Sequence, residues 1–288
     1  MSSKKQDVSQ QQRPRRGDLC LDHLAHFVPD LGAAAAVWEK LGFAVTPVSH
    51  HEVGGKPAGT SNRCVMLEEG YLELLAPTLD TPNAQRVRER MKRLVGVHLA
   101  CFGTPDAGAE QLRLAAQGFE PEPVVHLKRR IETGATVEFR VVYVPPDKMP
   151  EGRVQYCEHV TPAQVWREEF VNPLRLSAVY VVADDPEEVA ARWGRFGGLL
   201  PRPEEGFVRL DTARGRVVVG TRRTLAKVLG DVPPAPALAG YALSCSDPDA
   251  FAARCSKAGL RVAGRTVTLP RALGGSWLLE SRAKEEFS

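Results

Sequence analysis

One pattern recurs four times along this chain and limits its fold more than any other feature: a strand-like segment, an acidic turn, a helical stretch and a glycine. It runs through LDHLAHFVPDLGAAAAVWEKLGF (residues 21–43) and GVHLACFGTPDAGAEQLRLAAQGF (96–119). It returns in LSAVYVVADDPEEVAARWGRFGG (176–198) and YALSCSDPDAFAARCSKAGLRV (241–262). The acidic residues Asp30, Asp106, Asp247 and Asp249 are natural helix N-caps, and Gly42, Gly118 and Gly259 are natural helix stops. Each helical stretch is followed by alternating or β-branched segments: FAVTPVSH, SNRCVMLEE and YLELLAP, then PVVHLKRRI, ATVEFRVVYV and RVQYCEHV. GFVRLDT and RGRVVVGT follow the third helix, and VAGRTVTL and GSWLLES the fourth.

The chain therefore reads as α+β, four βαβββ modules in two pairs. A single module has one helix for two sheet faces. Two modules side by side form a curved eight-stranded sheet with a concave cleft and helices outside. The expected division is a disordered basic tail at 1–18, an N-terminal pair at 19–166, a degenerate C-terminal pair at 167–283 and a tail at 284–288. A linker is expected near 163–175, and Pro233, Pro234 and Pro236 mark the joint between copies three and four.

Charge and cysteine usage narrow the class. Of 38 Lys/Arg and 35 Asp/Glu, residues 1–18 hold five and two, so the remaining chain carries 33 of each. A neutral body with a basic tail argues against nucleic-acid binding, which wants a basic face on the fold itself. No run of about 18 apolar residues exists to span a membrane. The polar start lacks the apolar core of a secretory signal, and the six scattered cysteines form no CxxC pair, so reduced thiols and a cytoplasmic location are expected.

Strand parity selects the chemistry-bearing side chains. His23 and His26 point to opposite faces, so one of them at most reaches the cleft. Tyr71 and Glu73 share a face, as do Tyr156 and Glu158, and His159 points away from Glu158. Tyr71-Leu-Glu-Leu-Leu-Ala-Pro77 and Tyr156-Cys-Glu-His-Val-Thr-Pro162 match in the spacing of Tyr, Glu and Pro. If the copies are equivalent, His23, Glu73, His98 and Glu158 meet on one concave surface. Two imidazoles and two carboxylates suit a divalent metal with room for water or substrate. Glu73 stands in an otherwise apolar strand, where an ionised carboxylate is costly unless paired or metal-bound.

The βαβββ repeat, the His-then-Asp first strand and the ELLAP last strand resemble the vicinal oxygen chelate superfamily, and within it glyoxalase-like domain proteins. The resemblance covers nearly the whole chain after the tail and is most specific from 20 to 166. It implies His23, Glu73, His98 and Glu158 as ligands of one divalent ion (Ni, Co, Zn, Mn or Mg, with Fe less favoured). In the C-terminal pair the corresponding positions fall near Ser177 and near Gly240 or Tyr241, with Glu280 the one acid, so one metal centre is expected.

The leading functional expectation is a metal-dependent isomerase or lyase acting on a small carbonyl substrate through a metal-stabilised enediolate, with Glu158 or Glu73 as base. Expected substrate contacts are Asn62, Arg63, Tyr71, Tyr156 and Arg140. Arg153 is a further strand arginine able to meet an anion, and His50 and His51 border a Gly-rich loop that could cover the cleft. The alternatives are an Fe(II) extradiol-type dioxygenase and a non-enzymatic cleft binder. The expected partner is a small molecule, with no nucleic acid and no membrane, and the cleft closes either within one chain or between two in a homodimer.

Overall fold

The computed structural model describes residues 8–282. In chain order its elements are α1 (Val8–Gln12), β1 (Cys20–Phe27), α2 (Leu31–Lys40), β2 (Ser49–Val53), β3 (Lys56–Glu69), β4 (Tyr71–Pro77) and α3 (Pro82–Arg93). The second module is β5 (Gly96–Gly103), α4 (Ala107–Ala116), β6 (Val125–Arg130), β7 (Thr136–Tyr143) and β8 (Arg153–His159), followed by α5 (Pro162–Val165). The third is β9 (Val171–Val182), α6 (Pro186–Gly197), β10 (Arg202–Glu204), β11 (Phe207–Asp211) and β12 (Arg216–Gly220), with α7 (Arg222–Leu229) after it. The fourth is β13 (Ala237–Cys245), α8 (Pro248–Lys257), β14 (Arg261–Ala263), β15 (Thr266–Thr268) and β16 (Ser276–Ser281).

The four module helices begin as the acidic turns dictate. Asp30, Asp106, Asp185 and Asp247 each accept the N–H of the residue three positions on, satisfying a donor that the first helical turn leaves unpaired. Gly42 and Gly118, at φ of +85° and +77°, reverse the chain after α2 and α4 in a region that other residues enter at a cost.

The first eight strands pair as a closed ring. β1 pairs with β4 in parallel and β5 antiparallel, β4 with β3, β3 with β2, β2 with β6, β6 with β7, β7 with β8, and β8 with β5. Closure leaves an inner lumen and an outer, helix-covered face, which is why β1 and β5 are buried along their entire lengths. Two bulges break the alternation where β1 meets β5. Asp22 is an extra residue on β1 and His98 an extra residue on β5, and each re-aims its side chain relative to its neighbours.

The C-terminal strands run in the order β10-β11-β12-β9-β13-β16-β15-β14, and the start of β9 also pairs with β3, joining both halves into one sheet. The outer helices of the two halves meet in one shared core. Phe43 lies 5.7 Å from Phe251, and Phe102 lies 6.2 Å from Trp193 (ring centroids).

Three stretches differ from the sequence expectation. α1 lies within the expected tail, and its Gln12 is buried, accepting the Gly70 N–H at 3.1 Å. Residues 1–7 and the expected tail at 284–288 lie outside the described residues. The expected linker contains α5 and the start of β9. α3 and α7, which bridge the modules of each pair, were not expected at all. None of the described helices is long and apolar enough to cross a membrane.

The bridging helices make the halves unlike. α7 drops Leu225 and Leu229 against Ala178, Tyr180, Val182 and Ala239, filling the C-terminal concavity. Both leucines are fully buried, and each contributes about 2 kcal/mol by leaving water. Gly240 makes this possible, because a Cβ there would meet the Ser276 carbonyl at 2.4 Å and Leu229 at 3.1 Å. α3 places Val87 in the N-terminal apolar cluster, with Met91 packed against it, and that lumen keeps polar groups among its apolar side chains.

Candidate functional site

The lumen of the N-terminal ring holds two polar groups. The deeper one centres on Asp22. Its carboxylate accepts from His23 Nδ1 at 2.7 Å and from His159 Nε2 at 3.0 and 3.1 Å. His23 stacks on Tyr71 with ring centroids 4.3 Å apart. Trp166, just after α5, lies 4.7 Å from His159 and 5.7 Å from Tyr71, and plugs this end.

Burial opposes charge on both partners, yet their attraction prevails. His159 is raised to about 10 by Asp22 and the neighbouring Cys157, against the pull of burial. The Asp22 carboxyl is held well below the usual range by His159 and His23, again against burial. Cys157 shares a strand face with His159 and lies beside Cys101. A hydrogen bond from Cys101 and the His159 cation draw its thiol downward, whereas burial pushes Cys101 well up.

The second group lies nearer α3. Asn62 Nδ2 donates to Glu73 Oε1 at 2.5 Å, and Arg129 donates to Asn62 Oδ1 at 2.5 Å. His51 Nε2 stands 3.8 Å from the same Glu73 oxygen, and its Nδ1 is 3.0 Å from Thr60 Oγ1. His51 is lowered to about 4 by burial, with Glu73 opposing and Arg129 and Arg153 assisting, so it is neutral at pH 7. Among the described residues none bonds Glu73 Oε2. Arg153 lies over the Tyr143 ring at 4.3 Å.

Of the four expected metal ligands, His23 and Glu73 face the lumen. His98 stacks on Phe27 at 5.0 Å, and its Nε2 donates to the Leu94 carbonyl at 2.5 Å. Glu158 is on the outer face, where its Oε2 accepts the Ala107 N–H at the start of α4 at 2.9 Å and Arg140 at 2.8 Å. The four do not converge, and Glu158 cannot serve as the luminal base.

The cause is a one-residue slip. His23 stands seven residues before the N-cap Asp30, and the residue seven before Asp106 is Leu99, not His98. His98 instead matches Asp22, the bulged residue of β1. Glu73 pairs with Ala25, and the corresponding pair in the second module is Gln155 with Cys101. Matching Tyr156 to Tyr71 therefore inverted the face of every β8 residue. Gln155, Cys157 and His159 line the lumen instead.

Of the expected substrate contacts, Asn62 and Tyr71 are luminal. Tyr156 bonds the Phe196 carbonyl and Arg113 in the outer core. Arg63 bonds the Thr46 carbonyl and Glu39, and Arg140 is held by Glu158. His26 sits on the outer side, bonded to the Leu273 carbonyl and Tyr241 Oη. His50 is 2.7 Å from Ser61 Oγ. In the C-terminal half Ser177 donates to Glu280, which is paired with Arg216, so that acid is consumed. Sequence reasoning missed Asp22, His159, Gln155 and Arg129. The spacing to Asp106 was the one available signal, and it bears directly only on β5, where it sets Leu99 and not His98 in the place of His23.

Among the described residues, Asp22, His23 and Cys101 form the cluster that could hold a metal ion, with donor atoms all within 4.8 Å of one another. The rest of the lumen does not suit the expected two-His, two-Glu centre. Leu99 and Gln155 stand where the second imidazole and second carboxylate belong. Asp22 already serves two imidazoles, one of them cationic, which opposes a dication beside it.

A family model for a glyoxalase-like domain matches residues 21–197. The fold is shared with a hypothetical protein from Staphylococcus aureus (TM-score 0.68, 12% identity, 92% of this chain and 100% of that one). It is shared with a variant of 4-hydroxymandelate synthase from Streptomyces coelicolor (TM-score 0.56, 13% identity, 92% and 94%). A fusion of a xylose isomerase-like TIM barrel with 4-hydroxyphenylpyruvate dioxygenase also matches (TM-score 0.57, 10% identity, 96% and 51%). At these identities the likeness concerns fold alone. No curated protein sequence matches the chain.

Proposed function

The chain belongs to the glyoxalase-like domain family of the vicinal oxygen chelate superfamily, and from that premise we propose that its N-terminal ring is an enzyme site that moves a proton next to the carbonyl of a small substrate. Glu73 is the base. The observation that carries this reading is a carboxylate buried in the lumen of an apolar strand, held by Asn62 at one oxygen and unbonded at the other. Such a group costs folding energy and is retained where it has work to perform.

In this mechanism Glu73 Oε2 takes the proton from carbon, the C–H electron pair forms a carbon–carbon π bond as the carbonyl π pair moves onto oxygen, and Glu73 returns the proton, or one exchanged with solvent, to carbon. Asn62, itself held by Arg129, keeps the carboxylate from rotating. The negative charge that develops on the oxygen faces the positive field of Arg129 and Arg153, the same field that helps keep His51 neutral. Tyr71 stays protonated, since burial raises it well above its ordinary value. No step calls on the Asp22 cluster, which orders the deep end of the lumen.

The test is hydrogen exchange in D2O, followed by proton NMR on a panel of small 2-oxo acids and 2-hydroxy aldehydes with the full chain. Exchange next to the carbonyl is expected in the native protein. It should fall by about 100-fold or more in Glu73→Gln, the usual share of a general base. Equal rates in the two proteins would overturn the assignment.

A further inference from the structure

A small cavity borders the Glu73 group. It measures about 20 Å³, and its walls include Ser49 of β2, Cys64 of β3, Arg129 of β6 and Val165 of α5. Resting on the reading of Glu73 as base, we propose that Ser49 Oγ and Arg129 Nε bind the carbonyl oxygen of the substrate in this cavity and hold the charge it gains when the proton leaves carbon. A space of that size takes one water-sized group, so a single oxygen enters and a whole carboxylate or phosphate does not.

Three wall residues are each one contact from the base or from the amide that holds it. Ser49 is the register partner of Asn62, and Cys64 is that of Glu73, which sets the paired Cβ atoms about 5 Å apart. Arg129 donates to Asn62 Oδ1, and Asn62 Nδ2 donates to Glu73 Oε1, both at 2.5 Å. The cavity therefore lies alongside the chain Arg129–Asn62–Glu73. Arg129 is fixed further by the Phe139 ring, 5.4 Å beneath its guanidinium.

Two polar atoms of these walls have nothing to bond. Ser49 is 7% exposed, yet its Oγ has no hydrogen-bond partner among the described residues, and neither has the buried Nε of Arg129. Buried donors left unpaired weaken a fold, and an oxygen seated in the cavity removes that cost. The other charges in the wall are spent, since Glu132 pairs with Arg167 at 2.5 Å. Burial pushes the Cys64 thiol up to about 12, so it stays neutral. As Glu73 Oε2 takes the proton, the C–H pair becomes a carbon–carbon π bond and the carbonyl π pair collects on this oxygen. An N–H from a guanidinium and an O–H hold the charged oxygen more strongly than the neutral carbonyl. Return of a proton from Glu73 to carbon restores the carbonyl.

Calorimetric titration of the full chain with oxalate, a planar dianion that imitates the enolate of a 2-oxo acid, tests this. Oxalate should bind, and its Kd should rise about tenfold or more in Ser49→Ala and in Arg129→Lys, which keeps the charge but loses the planar fork. Glu73→Gln should bind oxalate at least as tightly, because a negative neighbour is gone. Ser61→Ala, whose hydroxyl is bonded to His50 and Thr78, should match the native chain. In the D2O exchange assay Ser49→Ala should lower kcat by about 100-fold with KM little changed, the usual effect of losing an oxyanion donor; a merely structural hydroxyl would leave kcat where it was. Failure of oxalate to bind, equal affinity in Ser49→Ala, or an unchanged kcat overturns the inference and leaves the base assignment standing. Weakened oxalate binding in Ser49→Ala beside undiminished exchange in Glu73→Gln would sink the base assignment and not this one.

Discussion

Replacing Asp22 with asparagine removes the single negative charge that holds two imidazoles inside a closed barrel. The carboxylate is 2% exposed and accepts three hydrogen bonds, one from His23 and two from His159. Removing one partner of a buried ion pair costs about 3–5 kcal/mol, because the remaining charge is left without compensation. His159 can escape part of that cost by giving up its proton, so the penalty depends on pH. In the native chain the His159 pKa is raised from 6.5 to about 10, so its stabilisation is full below pH 6.5 and lost as pH rises through 10. The Asp22 carboxyl is depressed, so its stabilisation is present above pH 3.8 and lost only as pH falls through the folded value. The pair therefore contributes most between about pH 4 and 6.5. Urea unfolding of native and Asp22→Asn chains should differ by about 3–5 kcal/mol at pH 6 and by about 1 kcal/mol or less above pH 10. Groups common to both chains cancel in this difference. Equal destabilisation at the two pH values would refute the ion-pair reading.

Two further outcomes follow from the corrected placements. Glu158→Gln should lower stability by about 1–2 kcal/mol, the sum of a helix N-terminal charge and a partly exposed ion pair, and should leave proton exchange untouched; a thermal melt beside the NMR assay checks both, and a 100-fold activity loss at unchanged stability would return Glu158 to the site. His26, His51 and His98 are each lowered to about 4, chiefly by burial, so the stability they contribute is present above pH 6.5 and lost as pH falls toward 4. Unfolding near pH 5 should take up about three protons, a slope of about 4 kcal/mol per pH unit, and a flat or reversed slope would contradict their burial as neutral rings.

Much of the fold was legible because local chemistry and global architecture agree. The acidic turns cap their helices, Gly42 and Gly118 end theirs, and the opposed directions of His23 and His26 follow from period-two alternation alone. The candidate site was legible only on the strands where alternation runs unbroken. YLELLAP carries Tyr71 and Glu73 to the lumen as its parity requires. LDH and GVH look alike as letters, yet each contains a bulge, and a bulge is a property of the pairing rather than of the strand. It brought Asp22 inward and displaced His98 by one position against His23. The Asp22–His159 contact joins residues 137 apart, and no spacing announces it. α3 and α7 were missed for another reason. Their sequences are polar, and only the concavity beneath shows that Leu225 and Leu229 have somewhere to go.

The unlike filling of two similar concavities bears on where chemistry is carried out. Both halves curve a sheet around a hollow, closed into a ring in the N-terminal half and open in the C-terminal one, and both place a short helix after the last strand of their first module. In the C-terminal half that helix seals the hollow with leucines, and the one acid remaining, Glu280, is neutralised by Arg216. In the N-terminal half the helix contributes Val87 and Met91, and the hollow also keeps Glu73, Asn62, His51, Arg129 and Arg153. Replacing buried ionic groups by apolar ones of similar volume is often neutral or favourable for stability, and the C-terminal half demonstrates that this fold accommodates an apolar filling. Stability alone therefore does not account for the polar groups kept in the N-terminal lumen. On the proposed function, the retained acid and its arginines answer to a ligand that meets them, while the half without them completes the core into which the outer helices of both pairs are packed.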